Sequence, residues 1–180
     1  AYSIPGNDIW AASLSRADVQ AAIDLASNGD TVVMPSGSIT WAAKGGSGAG
    51  STNAIYINNK RIWLKGAGKT STLITDGTSG SAWPGGMIFV EGNSKVELSD
   101  FSILRHQQCG IKMFISARDW MVHDMDITGI PGSKLLGVYV EATGGVAYGL
   151  IHSCYFEDSK VDYEGLGDAD WLTDPTYGTA

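Results

Sequence analysis

Residues 88–103 read IFVEGNSKVELSDFSI and contain three short segments with a period of two. Ile88-Phe89-Val90 alternates aliphatic and aromatic side chains, whereas Val96-Glu97-Leu98 and Phe101-Ser102-Ile103 alternate apolar and polar ones. A polar turn with a glycine separates the first two segments, and the pair Ser99-Asp100 separates the last two. Alternation with a period of two predicts β-strands, and a polar pair between strands predicts a tight bend. This stretch therefore predicts one coil made of two or three short strands.

The same pattern recurs along the chain. In each copy the first segment reads aliphatic, aromatic, aliphatic, and its aromatic residue returns every 25 to 33 residues. The four first segments are Ile55-Tyr56-Ile57, Ile88-Phe89-Val90, Met113-Phe114-Ile115 and Val138-Tyr139-Val140. The second segments are Ile62-Trp63-Leu64, Val96-Glu97-Leu98, Trp120-Met121-Val122 and Gly149-Leu150-Ile151. A repeat of this length is typical of stacked structural units.

The polar pair and the third segment recur in three copies, and they match position for position. These copies are Ser99-Asp100-Phe101-Ser102-Ile103, His123-Asp124-Met125-Asp126-Ile127 and His152-Ser153-Cys154-Tyr155-Phe156. A single coil cannot bury its own apolar face, so the coils must stack at the strand spacing of ~4.8 Å. The sequence therefore predicts an all-β protein, a parallel β-helix or solenoid of about four coils over residues 41–160.

A different pattern precedes the coils and predicts an N-terminal cap over residues 1–40. Val19, Ala22, Ile23 and Ala26 have the spacing of one face of an amphipathic helix between residues 15 and 29. A short strand, residues 31–35, follows the helix. A helix across the open end of a β-rod covers strand edges that would otherwise pair with other chains.

Two stretches resemble right-handed parallel β-helix proteins of the pectin lyase-like superfamily. Residues 18–24 and 29–37 look like the opening of such proteins, and Leu64-Lys65-Gly66-Ala67-Gly68 with Thr72-Leu73-Ile74 looks like their first full coil. The resemblance implies a right-handed helix and a protein associated with polysaccharide, either a polysaccharide lyase or a glycoside hydrolase. The superfamily also contains spikes and adhesins without catalysis, so a structural or adhesive β-helix is the alternative.

The charge composition of the chain argues against two classes of binding partner. The chain has 12 basic and 19 acidic residues and a net charge of −7, which argues against a nucleic acid or an anionic membrane as a partner. No apolar stretch reaches the 18 residues of a membrane-spanning helix. The chain begins at Ala1 without a methionine, which fits a secreted product. We therefore expect an extracellular or cell-surface location.

The C-terminal segment, residues 161–180, is predicted to be an acidic loop leading into a further coil. Acids are dense from Glu157 onward and only Lys160 opposes them, so Ca²⁺ is a possible ligand. The acids lack an ordered ligand spacing, which favours a solvated loop, and no cofactor is predicted. A solenoid needs a cover at each end, so we expect further coils of a longer chain or another subunit there.

The aromatic residues of the first segments are the candidate binding residues: Tyr56, Phe89, Phe114 and Tyr139. If the aliphatic neighbours face inward, these four rings face outward as a ladder on which sugar rings could stack. The alternative is that a loop covers the rings, or that they stack on one another for stability, because monomers seldom expose an apolar patch of this size.

Glu91 and Glu141 are the candidate catalytic residues. They are expected in one outward column, Asn58, Glu91, Ser116 and Glu141, with the two glutamates two coils and about 9.6 Å apart. Inverting glycosidases hold their carboxyl groups ~6.5 to 9.5 Å apart to leave room for a water molecule. The alternative is that both are solvated surface acids.

Other charged residues give weaker patterns. A cluster around the third coil has the residue types of a lyase but no recognisable lyase order, which favours solvated loop charges; it comprises Arg105, His106, Lys112, Arg118 and Asp119. His123 and His152 should share one outward column. No third ligand recurs with them, so no metal site is predicted.

Overall fold

The computed structural model describes residues 6–42, 53–77, 86–92, 94–114, 117, 119–132, 135–142 and 149–165. Within these ranges the chain forms one helix, α1 (Arg16–Leu25), and sixteen strands. The strands are β1 (Asp8–Trp10), β2 (Thr31–Val33), β3 (Gly37–Trp41), β4 (Ile55–Asn58), β5 (Arg61–Lys65), β6 (Thr72–Asp76), β7 (Ile88–Glu91), β8 (Lys95–Ser99), β9 (Ser102–His106), β10 (Cys109–Phe114), β11 (Trp120–His123), β12 (Asp126–Gly129), β13 (Leu135–Ala142), β14 (Gly149–His152), β15 (Tyr155–Glu157) and β16 (Ser159–Gly165).

The strands form three sheets in which all neighbours are parallel. Sheet A has the order β1-β2-β5-β8-β11-β14, sheet B has β3-β6-β9-β12-β15, and sheet C has β4-β7-β10-β13-β16. From β4 onward the chain passes through sheets C, A and B in turn and returns to the same sheet after every third strand. Four such passages are complete within the described residues. The all-β prediction is confirmed, and the arrangement is compatible with a parallel β-helix.

The register confirms the predicted alignment in sheets A and B. In sheet A, Glu97 pairs with Trp63 on one side and with Met121 on the other. In sheet B, Ile127 pairs with Ile103 and with Phe156. Equivalent side chains therefore lie above one another over successive strands, as stacking of the repeats requires.

Helix α1 lies at the predicted place but is shorter than predicted. Ser15 begins it as the N-cap, since its Oγ accepts a hydrogen bond of 3.2 Å from the Asp18 backbone N–H. The predicted apolar face is confirmed, because Val19, Ala22 and Ile23 are buried. The helix ends at Leu25, since Ala26 is already extended.

Both ends of the repeat region contain strands that the repeat pattern does not predict. Strands β1 and β3 join sheets A and B, so the N-terminal cap contributes to two of the sheets. Strand β16 pairs with β13 and occupies the first residues of the segment predicted as an acidic loop. Residues 166–180 lie outside the described part of the chain. Strand β1 was not predicted because its three residues are too few to show an alternation with a period of two.

The core fills the space between the three sheets with aliphatic side chains. In sheet C the inward residues are fully buried and paired across strands, as Ile88 is with Ile55 and with Ile111. Phe89 and Tyr139 are absent from this core cluster although both are buried. Their side chains therefore lie on the other face of sheet C, where the candidate site is found.

Candidate functional site

The candidate site is the outer face of sheet C, which we define by eight residues in two columns. Alternation along each strand turns these side chains away from the core, because their neighbours in sequence are core residues. The first column is Tyr56, Phe89, Lys112 and Tyr139, and the second is Asn58, Glu91, Phe114 and Glu141.

The composition of the columns corrects the predicted ladder. Lys112, and not Phe114, pairs with Phe89 and with Tyr139. Phe114 lies two residues further along β10 and pairs with Glu141. The aliphatic residues on either side of Lys112 match the repeat as well as those around Phe114 do. The apolar pattern therefore has two registers that bury the same face, and it does not distinguish between them.

Phe89 lies between two other rings of this face and contacts both. The ring centroid of Phe89 lies 5.9 Å from that of Tyr56 and 5.3 Å from that of Phe114. Exposure, one of the two alternatives drawn from the sequence, does not hold for Phe89 and Tyr139, which are only 2% and 3% exposed. Tyr56 and Phe114 are half-buried and present part of their rings to solvent. Mutual stacking, the alternative drawn from the sequence, accounts for the burial of Phe89 in part.

Lys112 carries a charge into this aromatic surrounding. Its side chain is 0% exposed, and its Nζ lies 2.7 Å from Glu141 Oε2. The same Nζ lies 4.8 Å from the Phe114 ring centroid, 5.2 Å from that of Tyr139 and 5.6 Å from that of Phe89. Three ring faces and one carboxylate thus surround the ammonium, a combination that offsets the cost of removing the charge from water. The prediction of a solvated loop charge is wrong for Lys112.

Glu91 has a different partner. The Tyr56 hydroxyl donates a hydrogen bond of 2.6 Å to Glu91 Oε2. Burial and this hydrogen bond raise the pKa of Tyr56 to about 12. The phenol therefore remains protonated at neutral pH and continues to donate. Among the described residues, no cationic side chain forms an ion pair with Glu91.

The column between the two glutamates also differs from the prediction. Ser116 lies outside the described residues, and Phe114 occupies the position next to Glu141 in β10. Continuing the register by one residue from Met113↔Val90 places Phe114 next to Glu91 as well. An aromatic ring thus lies in the column where an inverting hydrolase would hold its water molecule.

The remaining residues of the predicted lyase cluster are dispersed. Arg105 and Asp119 are exposed, as expected of solvated charges, and Asp119 forms a surface ion pair with Lys95. His106 is fully buried and contacts the Ser159 hydroxyl. Burial lowers the pKa of His106 to about 4, so its ring is neutral at physiological pH. Arg118 lies outside the described residues.

The predicted histidine column is confirmed on sheet A. His123 pairs with His152, and their rings stack with centroids 4.9 Å apart. His123 Nε2 lies 2.9 Å from Glu97 Oε1, and Nδ1 lies 2.7 Å from Asp124 Oδ2. Burial alone would lower the pKa of His123, but the hydrogen bonds to Asp124 and Glu97 outweigh burial and raise it.

The described residues contain no group of three or more His, Cys, Asp or Glu side chains arranged to hold a metal ion. They also contain no helix with the length and apolar character needed to cross a bilayer.

Sequence reasoning brought Tyr56, Phe89 and Tyr139 together correctly but missed the role of Lys112. The one available signal was the position of Lys112 between Ile111 and Met113, where a strand with this register turns the lysine outward beside aromatic neighbours.

No protein-family model, no curated protein and no solved structure matches this chain.

Proposed function

We propose that this chain is an extracellular right-handed parallel β-helix of the pectin lyase-like superfamily, and that it binds polysaccharide on the outer face of sheet C. The three parallel sheets and the sequence resemblance support the fold assignment. The observation that carries the function is the pair of half-buried rings, Tyr56 and Phe114, beside the carboxylate of Glu91.

A sugar presents flat C–H faces and hydroxyl donors, and this surface offers a counterpart to both. The exposed parts of Tyr56 and Phe114 supply apolar surface, and the Phe89 ring contacts both of these rings. Glu91 supplies a hydrogen-bond acceptor beside them. Apolar surface with a few fixed polar groups is the usual composition of a ligand site.

Binding is a better account of this face than hydrolysis. Glu91 already accepts a hydrogen bond from Tyr56, and Glu141 is paired with Lys112. Lys112 has no exposed surface, so it cannot reach a substrate proton without a rearrangement. Catalysis, if the protein performs it, requires residues other than this pair of glutamates.

A structural or adhesive role is the second candidate, and one observation favours it. Phe89, Tyr139 and Lys112 are almost fully buried although they lie outside the core. A face whose rings and charges are satisfied by one another resembles a packed interface more than an open groove.

A polysaccharide panel distinguishes the two candidates. The protein would be tested by affinity electrophoresis against uronic-acid, neutral and amino-sugar polymers, with unsaturated products and reducing ends measured in parallel. Saturable binding that weakens at least fivefold in Tyr56→Ala, and not in a matched Tyr155→Ala variant on sheet B, supports the proposal. Tyr155 is an exposed control far from the site in sequence. Absence of binding to every polymer would contradict polysaccharide binding and favour the structural or adhesive role.

A further inference from the structure

We propose that the glycan bound on the outer face of sheet C carries free amino groups, with a protonated amine placed against Glu91 beside the Tyr56 and Phe114 rings. This inference rests on the proposed function and specifies its ligand class. Neither the repeat pattern nor the superfamily resemblance indicates an amino sugar.

The chain's own lysine shows what this surface accommodates. Lys112 Nζ is held 2.7 Å from a carboxylate oxygen, and three ring centroids lie within 4.8 to 5.6 Å of it. Aromatic faces combined with a carboxylate form the usual protein site for an ammonium group. The outer face of sheet C is therefore already an ammonium-binding surface, with one position filled from within the chain.

Glu91 provides a second carboxylate of the same kind. It lies one strand away from Phe114, and its oxygen Oε2 is held by the Tyr56 hydroxyl. Unlike Glu141, Glu91 forms no ion pair with a cation among the described residues. A ligand amine at this position would have the carboxylate of Glu91 and the exposed parts of two rings as neighbours.

The net negative charge of the chain also favours a ligand that carries protonated amines. A net charge of −7 repels a polymer of uronic acids and attracts a polymer of protonated amines. On the outer face of sheet C itself, Lys112 is paired with Glu141, and no other cation among the described residues forms an ion pair with Glu91. Charge complementarity therefore selects a cationic glycan over an anionic one.

The test compares three hexasaccharides by isothermal calorimetry at low ionic strength: hexaglucosamine, its fully N-acetylated form and hexagalacturonate. The N-acetylated form keeps the sugar rings and removes the charge, so it isolates the amine. We expect hexaglucosamine to bind at least tenfold more tightly than the other two. We also expect its affinity to fall as salt is added, because exposed charge pairs are screened.

The variant Glu91→Gln tests whether the ligand amine lies against Glu91. It keeps an acceptor for the Tyr56 hydroxyl and should weaken hexaglucosamine binding about three- to tenfold, which is clearly more than it weakens binding of the N-acetylated form. Glu157→Gln is the matched control, since it removes one charge from an exposed position on sheet B and should have no comparable effect.

The outcomes separate the two proposals. Equal binding of the charged and acetylated forms, or preference for hexagalacturonate, overturns the amino-sugar inference and leaves polysaccharide binding in place. An equal loss of affinity in Glu91→Gln and Glu157→Gln also overturns the inference, because it shows a diffuse charge effect. Failure to bind any of the three forms, or any other polysaccharide, overturns the proposed function itself.

Discussion

At the scale of single residues, the ion pair between Lys112 and Glu141 is the least ordinary feature of the protein. A fully buried ammonium is costly unless its partners compensate for the lost water. Here the compensation comes from one carboxylate and three aromatic rings, while Glu141 itself keeps 20% of its side chain exposed. The pair should therefore behave as a coupled unit rather than as two separate surface charges.

A double-mutant cycle tests this coupling. Lys112→Met and Glu141→Gln should each destabilise the fold by about 2–4 kcal/mol, because each leaves the other group without its counter-charge. The double variant should lose clearly less than the sum of the two. Urea unfolding of the four proteins measures the coupling directly. Additive losses, to within about 0.5 kcal/mol, would contradict a coupled buried pair.

His123 gives a prediction about pH. Its pKa is raised in the folded protein, so protonation stabilises the fold below the ordinary pKa of 6.5, and this stabilisation is lost as pH rises through the folded-state pKa. The difference in unfolding free energy between the native protein and His123→Gln should therefore be larger at pH 5.5 than at pH 8.5.

Glu97→Gln provides the control for this prediction, because it removes one of the two carboxylates that raise the pKa of His123. The pH dependence attributable to His123 should shrink in that background. A difference between the native protein and His123→Gln that grows with pH would show that the sign is wrong.

At the scale of elements, the strands from β5 onward in sheet A and from β9 onward in sheet B could be predicted, because their segments recur along the chain in one register. In the triplet Val96-Glu97-Leu98, for example, Glu97 pairs with Trp63 and with Met121, and this register places both aliphatic residues of the triplet in the core. Strand β10 is different, since Ile111-Lys112-Met113 and the segment around Phe114 fit the repeat equally well. Choosing between them depends on how Lys112 is compensated by residues of β7 and β13, which a single sequence does not reveal.

Strand packing also explains a glycine that looked ordinary in sequence. A Cβ built on Gly149 in β14 would lie 2.0 Å from the Trp120 ring of β11, with which Gly149 pairs. Gly149→Ala should therefore destabilise the protein by about 1–3 kcal/mol, the usual cost of overpacking. Thermal or urea unfolding measures this loss.

Gly86→Ala is the matched control for that substitution, because its added Cβ would meet no atom closer than 3.4 Å. Its unfolding free energy should change by less than about 1 kcal/mol. Equal stability of Gly149→Ala and the native protein would mean that β11 and β14 do not have the register described.

At the scale of the whole molecule, the repeat predicted parallel stacking of its strands, because a coil that cannot bury its own face must pack against another. The sequence left open whether Phe89 and Tyr139 are buried or exposed, since alternation separates two faces of a sheet but does not show what lies on the outer one. The acidic character of the chain was visible in its composition. The position of Glu91 beside two partly exposed rings could not be predicted from that composition.

The most direct test of the account is a set of long-range nuclear Overhauser effects between backbone protons of β7, β10 and β13 in labelled protein. The structure predicts parallel contacts that place Ile111 between Ile88 and Val138, with Lys112 between Phe89 and Tyr139. Contacts that instead place Phe114 between Phe89 and Tyr139, or an antiparallel pattern, would contradict the face on which both proposals depend.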